Sequence, residues 1–483
     1  MGEGTARRRR PALRDRAIVG LARLLTRSFF RTVEVEGRPP PDGPVILAAS
    51  HLYGFVDPVV LVARFGLLPR FLAKATLWKV PLAGLLLGFA RVIPVHRRAD
   101  GAAGEANDTM FSSAVEALRD GGVVAIFPEG TTHDEPTMRP LRTGAARIAI
   151  EAAAGGVEGV RVVPVGVSYE DKVAVRGRAL VSYGDPIVVE APAGGDDTDA
   201  GHAAVRDLTE RLAVALNGLT PHFETTEEML ALAAAATVTL TTPDGERPPL
   251  ADVSSRARRL ARLDPPRRDA LVSLVARYRM LLGFVDLDDD DVVRTDVIAQ
   301  LARRLVVLAV LIFLLLPLAV AGLFANLVPL LLVLLAGLVV KAPVSKGTVR
   351  FLVAVVTFPA MWAFLAWSDS RTGGLGDLAR RVTYPVDWIV GDEPADRVGW
   401  QSDLLVVVVT PILLVITIVM FERTRALVVG LGRWKTLLDR RGQLVEVRQR
   451  RAQVVQMTEA ALGEVATRGA LPSAPAPGEA TPA

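Results

Sequence analysis

From Leu305 to Val340 the chain reads "LVVLAVLIFLLLPLAVAGLFANLVPLLLVLLAGLVV" without one charged side chain. Such a run leaves no polar face for water, so it does not suit an amphipathic helix on the surface of a soluble domain. As one helix it would extend about 54 Å, against ~30 Å of bilayer hydrocarbon, so the sequence predicts two short passes turning near Asn326. Two further apolar stretches, "TVRFLVAVVTFPAMWAFLAW" and "DLLVVVVTPILLVITIVMF", bring the expectation to about four transmembrane helices within residues 301–425. Their prolines are tolerated in membrane helices. Arg303 and Arg304 precede the first pass, Lys341, Lys346 and Arg350 follow the second, and Arg423, Arg425, Arg433 and Lys435 follow the last. The connection from Ser368 to Asp403 is acidic instead. By the positive-inside rule this is an integral membrane protein with both termini cytoplasmic.

The 483 residues are enough for two or three domains, and the apolar runs explain how 51% hydrophobic content coexists with 22% charge. Net charge is only +4, with the basic residues gathered toward the two ends, which suits an anionic lipid bilayer as partner. Aromatics make up 6% and are not interleaved with basic residues, so no nucleic acid partner is expected. Cysteine is absent, which excludes disulfides, thiolate metal sites and a cysteine nucleophile. Residues 1–32 resemble a signal peptide only superficially, because Arg14, Asp15, Arg16, Arg23 and Arg27 interrupt the apolar stretch. On a helical wheel Arg16, Arg23, Arg27 and Arg31 form one stripe, with Ile18, Leu21, Leu25 and Phe29 opposite. A basic amphipathic helix lying in the membrane interface is the expectation.

Residues 33–220 alternate β-rich runs ("PVILAAS", "RVIPV", "VVAIFP", "VRVVPVGVSY", "RALVSYGDPIVV") with helical segments ("AGEANDTMFSSAVEALRDG", "GAARIAIEAAAGG"). That alternation predicts an α/β domain with a mostly parallel central sheet. Residues 221–300 read as a helical extension or linker, and the acidic run "DLDDDDVV" as a solvated helix start. Residues 426–483 read as a basic helix followed by a disordered tail, "LPSAPAPGEATPA".

Chemistry-bearing residues cluster at the strand ends. "SHLYGFVDP" sets His51 six positions before Asp57, with Asp57-Pro58 as a helix start in which Asp57 is the N-cap. Six residues along a helix would hold the two side chains about 240° apart, so they meet only across the turn at Gly54. "IFPEGTTHDE" follows another strand, where a turn can present backbone N–H groups with the Glu129 carboxylate. "RVIPVHRR" adds Arg91, Arg97 and Arg98, and "VPVGVSY" is a buried strand with Pro164 and Gly166. His96, His133, His202 and His222 show no metal-ligand spacing, and no metal site is expected. No G-x-S-x-G elbow occurs. Ser50 would point to the opposite face of its strand from its neighbour His51, which makes it an implausible nucleophile.

Together, and in this order, "SHLYGFVD", "RVIPVHR", "FPEGTTH" and "VPVGV" resemble the glycerolipid acyltransferase family, with "LRTGAARIA" downstream also similar. The resemblance covers roughly residues 33–189. It implies a glycerol-phosphate acyltransferase fold and an O-acyltransferase that needs no cofactor. The acyl donor would be acyl-CoA or acyl carrier protein, and the acceptor a phosphorylated glycerol (glycerol 3-phosphate or its 1-acyl form). Carried onto this sequence, His51 would be the general base and Asp57 its orienting partner. Phe127, Pro128, Glu129, Gly130 and Thr131, with Arg97, would bind the acceptor; Lys74 and Arg142 are weaker phosphate candidates. The chain departs from the family pattern in three places. Its histidine box is H-x5-D, Thr132 stands where the family has arginine, and Arg91 where it has glycine. A non-catalytic lipid-binding scaffold is the alternative, and it would be favoured by loss of His51 or Glu129, both of which are present.

Overall fold

A computed structural model describes residues 12–40, 43–79, 83–96, 105–132, 135–170, 176–193, 195–220, 223–293, 297–339, 343–372, 399–439 and 442–469. Eight strands form one sheet: β1 (Phe30–Glu36), β2 (Val45–Ala49), β3 (Arg70–Lys74), β4 (Ile93–Val95), β5 (Val123–Ile126), β6 (Arg161–Tyr169), β7 (Gly177–Tyr183) and β8 (Ile187–Val188). Their order is β1-β7-β6-β2-β5-β3-β4, with β8 paired to β6. All pairings are parallel except β6 with β7 and β6 with β8. The mostly parallel sheet read from the alternation is therefore present. Strand β1, at one edge, and β3, between β5 and β4, were not among the runs that the alternation picked out.

Every residue of β2 is buried. Val45, Leu47 and Ala49 face a core shared with α1 (Leu13–Phe29) and α2 (Val56–Phe65), while Ile46 and Ala48 face one shared with α4 (Glu105–Arg119), α5 (Gly144–Ala154) and α6 (Asp199–Leu219). A strand covered on both faces must be apolar throughout, which is why "VILAA" shows no alternation. Because β2, β5 and β6 run parallel and adjacent, their carboxyl ends lie at one edge of the sheet. The "SHLYGFVD" loop, the "PEGT" turn and Tyr169 all follow from those ends. Open α/β sheets bind ligands at this edge.

Helices α7 (Thr226–Leu240), α8 (Leu250–Leu260), α9 (Pro265–Phe284) and α10 (Asp289–Val293) pack with α14 (Gln443–Gly469), burying Leu232, Leu260, Leu271 and Val275 against Val447, Val454 and Leu462. The acidic run is not solvated as expected. Arg451 donates to Asp289 at 2.9 Å, and Arg433 donates to Asp288 at 2.8 Å and to Asp291 at 3.2 Å. Burial, with Asp290 nearby, holds the Asp291 carboxyl above the ordinary aspartate value despite Arg433.

The apolar region also differs from expectation. Two helices are long and apolar enough to cross a membrane: Leu301–Val339 (mean hydropathy 3.0), within α11 (Val297–Val339), and Val406–Thr436 (2.2), within α13 (Gly399–Asp439). A third apolar stretch, Leu352–Ser368 of α12 (Pro343–Thr372), is shorter. The described residues thus give two candidate spans in place of about four; most of the Ser368–Asp403 connection lies outside them. Asn326 makes no turn. Its Nδ2 donates to the Gly322 carbonyl one helical turn back, and its Oδ1 accepts from Trp362 Nε1, both at 2.9 Å. With both ends of the amide satisfied, the polar residue welds α11 to α12 instead of ending α11. Thr417 of α13 donates to the Ala319 carbonyl, and Gly322 leaves room for its close approach. Leu305 lies against Gly430, so α11 and α13 are antiparallel, with the start of one beside the end of the other.

Candidate active site

After Ala49 the chain leaves the sheet, and Ser50 remains part of it: its hydroxyl accepts from the Val167 amide at 2.9 Å and is buried. This spends the serine on holding β2 to β6. A turn through Gly54 (φ +59°) then brings the chain into α2. The helix opens two residues earlier than the sequence suggests, with Phe55 as N-cap, so Asp57 does not cap it. Its carboxylate folds back over the turn instead. Oδ2 accepts from the Tyr53 amide at 2.8 Å and meets His51 Nδ1 at 2.9 Å. The looped residues separate the pair in sequence without separating it in space.

Asp57 is fully buried, while the His51 side chain keeps 18% of its surface exposed. A proton on Nδ1 is fixed toward the carboxylate, leaving Nε2 with the free lone pair. The ring stacks on Phe127 (centroids 4.1 Å, 19° between planes), and Phe127 stacks in turn on Phe71 at 6.2 Å. Glu129 is turned inward and buried. Oε1 accepts from the His51 amide and Oε2 from the Arg139 amide, each at 3.0 Å. The carboxylate thereby ties the histidine loop to the turn after β5.

Pro128 is buried, and its carbonyl accepts from the Arg142 amide at 2.8 Å. Gly130 sits in the left-handed region (φ +70°) directly under the Arg142 side chain, where a Cβ would come within 2.7 Å of Nε. The Thr131 hydroxyl is half-buried and donates to the Thr132 carbonyl at 3.4 Å. The structure thus brings His51, Asp57, Phe127, Pro128, Glu129, Gly130, Thr131 and Arg142 to one edge of the sheet. Arg97 lies outside the described residues.

Tyr169, at the end of β6, went unnoticed in the sequence. Its hydroxyl donates to Asp57 Oδ1 at 2.5 Å. Enclosure of the hydroxyl, and then the negative charge of Asp57, push its ionisation well above the ordinary tyrosine value, so it stays a donor. Only its place at the carboxyl end of a buried strand beside β2 signalled it.

The Acyltransferase family model matches residues 31–168. The chain is 33% identical over 194 residues to glycerol-3-phosphate O-acyltransferase 2 of Saccharomyces cerevisiae, covering 39% of this chain and 26% of that protein. It is 25% identical over 175 residues to the chloroplastic 1-acyl-sn-glycerol-3-phosphate acyltransferase BAT2 of Brassica napus, covering 35% and 47%. The crystal structure of the 1-acyl-sn-glycerophosphate acyltransferase PlsC of Thermotoga maritima is matched at 21% identity and a TM-score of 0.31, over 41% of this chain and 78% of that one. The chain spans from about a quarter to a half of the length of these two curated relatives. The α/β domain that carries the His51–Asp57 pair is thus similar to the acyltransferase domain of the glycerolipid acyltransferases.

Proposed function

We propose that this protein is a membrane-bound O-acyltransferase that moves a fatty acyl group from a thioester donor, acyl-CoA or acyl carrier protein, to a hydroxyl of glycerol 3-phosphate or its 1-acyl form. The observation that carries this reading is the half-open His51–Asp57 pair, 2.9 Å apart at the carboxyl end of β2. In the proposed step His51 Nε2 takes the acceptor's hydroxyl proton as the oxygen attacks the thioester carbonyl. The tetrahedral carbon then expels the thiolate, which recovers the proton from the imidazolium, and no acyl-enzyme forms. Asp57 orients the ring and stabilises the transient imidazolium.

Arg142 supports a phosphorylated acceptor. It is exposed, and its side chain covers the Gly130 turn beside Thr132, where relatives of the resemblance carry arginine. Arg97 would supply a second cation. No cofactor enters the step.

The bilayer would be engaged through α11 and α13, with the catalytic domain and both termini on the cytoplasmic side. Helix α1 adds an interfacial contact. It buries Val19, Ala22 and Thr26 against the domain and exposes Leu13, Leu21 and Leu24 beside Arg16, Arg23 and Arg27. Leu85 and Phe89 of α3 (Ala83–Phe89) are exposed nearby, with the Arg14 guanidinium 5.8 Å above the Phe89 ring.

Acyl transfer by the purified full chain, measured with each donor against each acceptor, tests the reading. His51→Ala should lose about 10²- to 10⁴-fold in turnover, the worth of a general base, and Asp57→Asn less. Near-normal turnover by His51→Ala removes the mechanism.

A further inference from the structure

The Asp57 carboxylate has more to hold than the histidine. Oδ2 is shared between His51 Nδ1 and the Tyr53 amide, while Oδ1 receives the Tyr169 hydroxyl. The Tyr169 ring is itself fixed, stacked on Phe30 at 5.7 Å and edge-on to Tyr53 at 5.1 Å. Three structural segments therefore converge on one buried carboxylate: the histidine loop, α2 and the end of β6. A tyrosine that merely satisfied its own hydroxyl could use any carbonyl at the sheet edge. This one instead spends its proton on the carboxylate oxygen that the histidine does not use.

We propose that Tyr169 is a positioning residue that completes a Tyr169–Asp57–His51 chain, fixing the carboxylate so that Oδ2 faces Nδ1 and drawing negative charge away from that oxygen. The inference rests on the general-base reading of His51. The charge effect has a definite sign. A strong donor on Oδ1 weakens the pull of Asp57 on an imidazolium proton, which favours the neutral ring that a general base needs. Without the hydroxyl, more charge remains on Oδ2, and the imidazolium is stabilised relative to the neutral ring. Titratable residues bonded to this chain include Tyr53 of the loop, through its amide, Glu129 of the turn after β5, through the His51 amide, and Tyr169 of β6. Glu170 and Arg178 form an ion pair just beyond Tyr169.

The test uses the full-length protein in detergent with the preferred donor and acceptor. Tyr169→Phe keeps the ring and removes only the hydroxyl. Turnover should fall roughly five- to fifty-fold, part of what a general base supplies, with both Michaelis constants held within about two-fold. The acidic limb of its kcat/KM profile should move to higher pH. Replacing Tyr169 by 3,5-difluorotyrosine keeps the shape and strengthens the donor, so the limb should move to lower pH even if the phenylalanine variant fails to accumulate. An unshifted limb in the fluorinated protein, or a parallel loss of turnover and both Michaelis constants in Tyr169→Phe, overturns the proposal. Activity surviving in His51→Ala overturns the general-base reading and this one with it. An inactive His51→Ala beside unshifted Tyr169 variants overturns this one alone.

Discussion

Replacing Glu129 by glutamine tests whether its carboxylate holds the site together. Both oxygens are spent on backbone amides, those of His51 and Arg139, at 3.0 Å each, in a side chain only 3% exposed. Glutamine has nearly the same shape, but its carbonyl can serve one amide only, and its NH₂ must face the other. One charge-assisted bond becomes a neutral bond, and the second becomes two donors facing each other. Charge-assisted bonds are worth about 1.5–3 kcal/mol each, so the local cost should be about 3 kcal/mol. In an opening equilibrium that is about two decades. Hydrogen exchange read by mass spectrometry on peptides covering the His51 loop and the Arg139 segment should therefore accelerate about 100-fold. The sheet strands β2 and β6 should keep their protection. Turnover should fall because the His51 backbone is freed, while the circular dichroism spectrum stays unchanged. Wild-type exchange in both segments, or acceleration throughout the α/β domain, would refute the clamp.

Three further perturbations follow from the geometry. Gly130→Ala places a Cβ at φ +70° within 2.7 Å of Arg142 Nε, at a backbone cost of about 1–2 kcal/mol. It should raise the Michaelis constant for a phosphorylated acceptor, with little change for the donor, in steady-state assays. Asn326→Leu leaves the Trp362 Nε1–H without its acceptor and should cost about 0.6–2 kcal/mol, read as a lower melting temperature in detergent with near-normal initial rates. Asp291 has its folded ionisation raised by burial, so the folded chain binds the extra proton as pH rises from about 4 through the folded value. Stability contributed by this group is greatest below that window and declines across it. Asp291→Asn should remove this slope from a denaturant-midpoint series against pH, and an unchanged slope would refute the assignment.

Strong local patterns made the centre of the domain legible. "PVILAAS" and "VRVVPVGVSY" are mostly apolar because both faces of β2 and β6 are covered, and the motifs at their ends marked the edge that bears His51 and Glu129. Strand β1, by contrast, carries the exposed-and-buried mixture of an edge strand paired on one side only, and "FRTVEVE" did not stand apart from the helix before it. The inward turn of Glu129 was not readable, because one sequence serves equally a carboxylate aimed at a ligand and one aimed at two amides. Asn326 misled for a related reason. A polar residue amid leucines suggests a turn until its partner, Trp362 on another helix, is known. The acidic run seemed solvated because Arg433 and Arg451 lie more than a hundred residues away in sequence.

The core around Leu232, Leu260 and Leu271 is closed by Val447, Val454 and Leu462 of α14, which is made only after both long apolar helices. With those helices across a bilayer, the last helix rejoins α7–α9 only if an even number of crossings returns it to the side it left. A chain in which the second crossing fails carries α14 on the far side of the membrane and leaves an open apolar groove on the near side. Exposed groove of this kind is what chaperones and proteases recognise in unfinished proteins. If the two long helices cross a bilayer, closure of this core would report on their correct insertion.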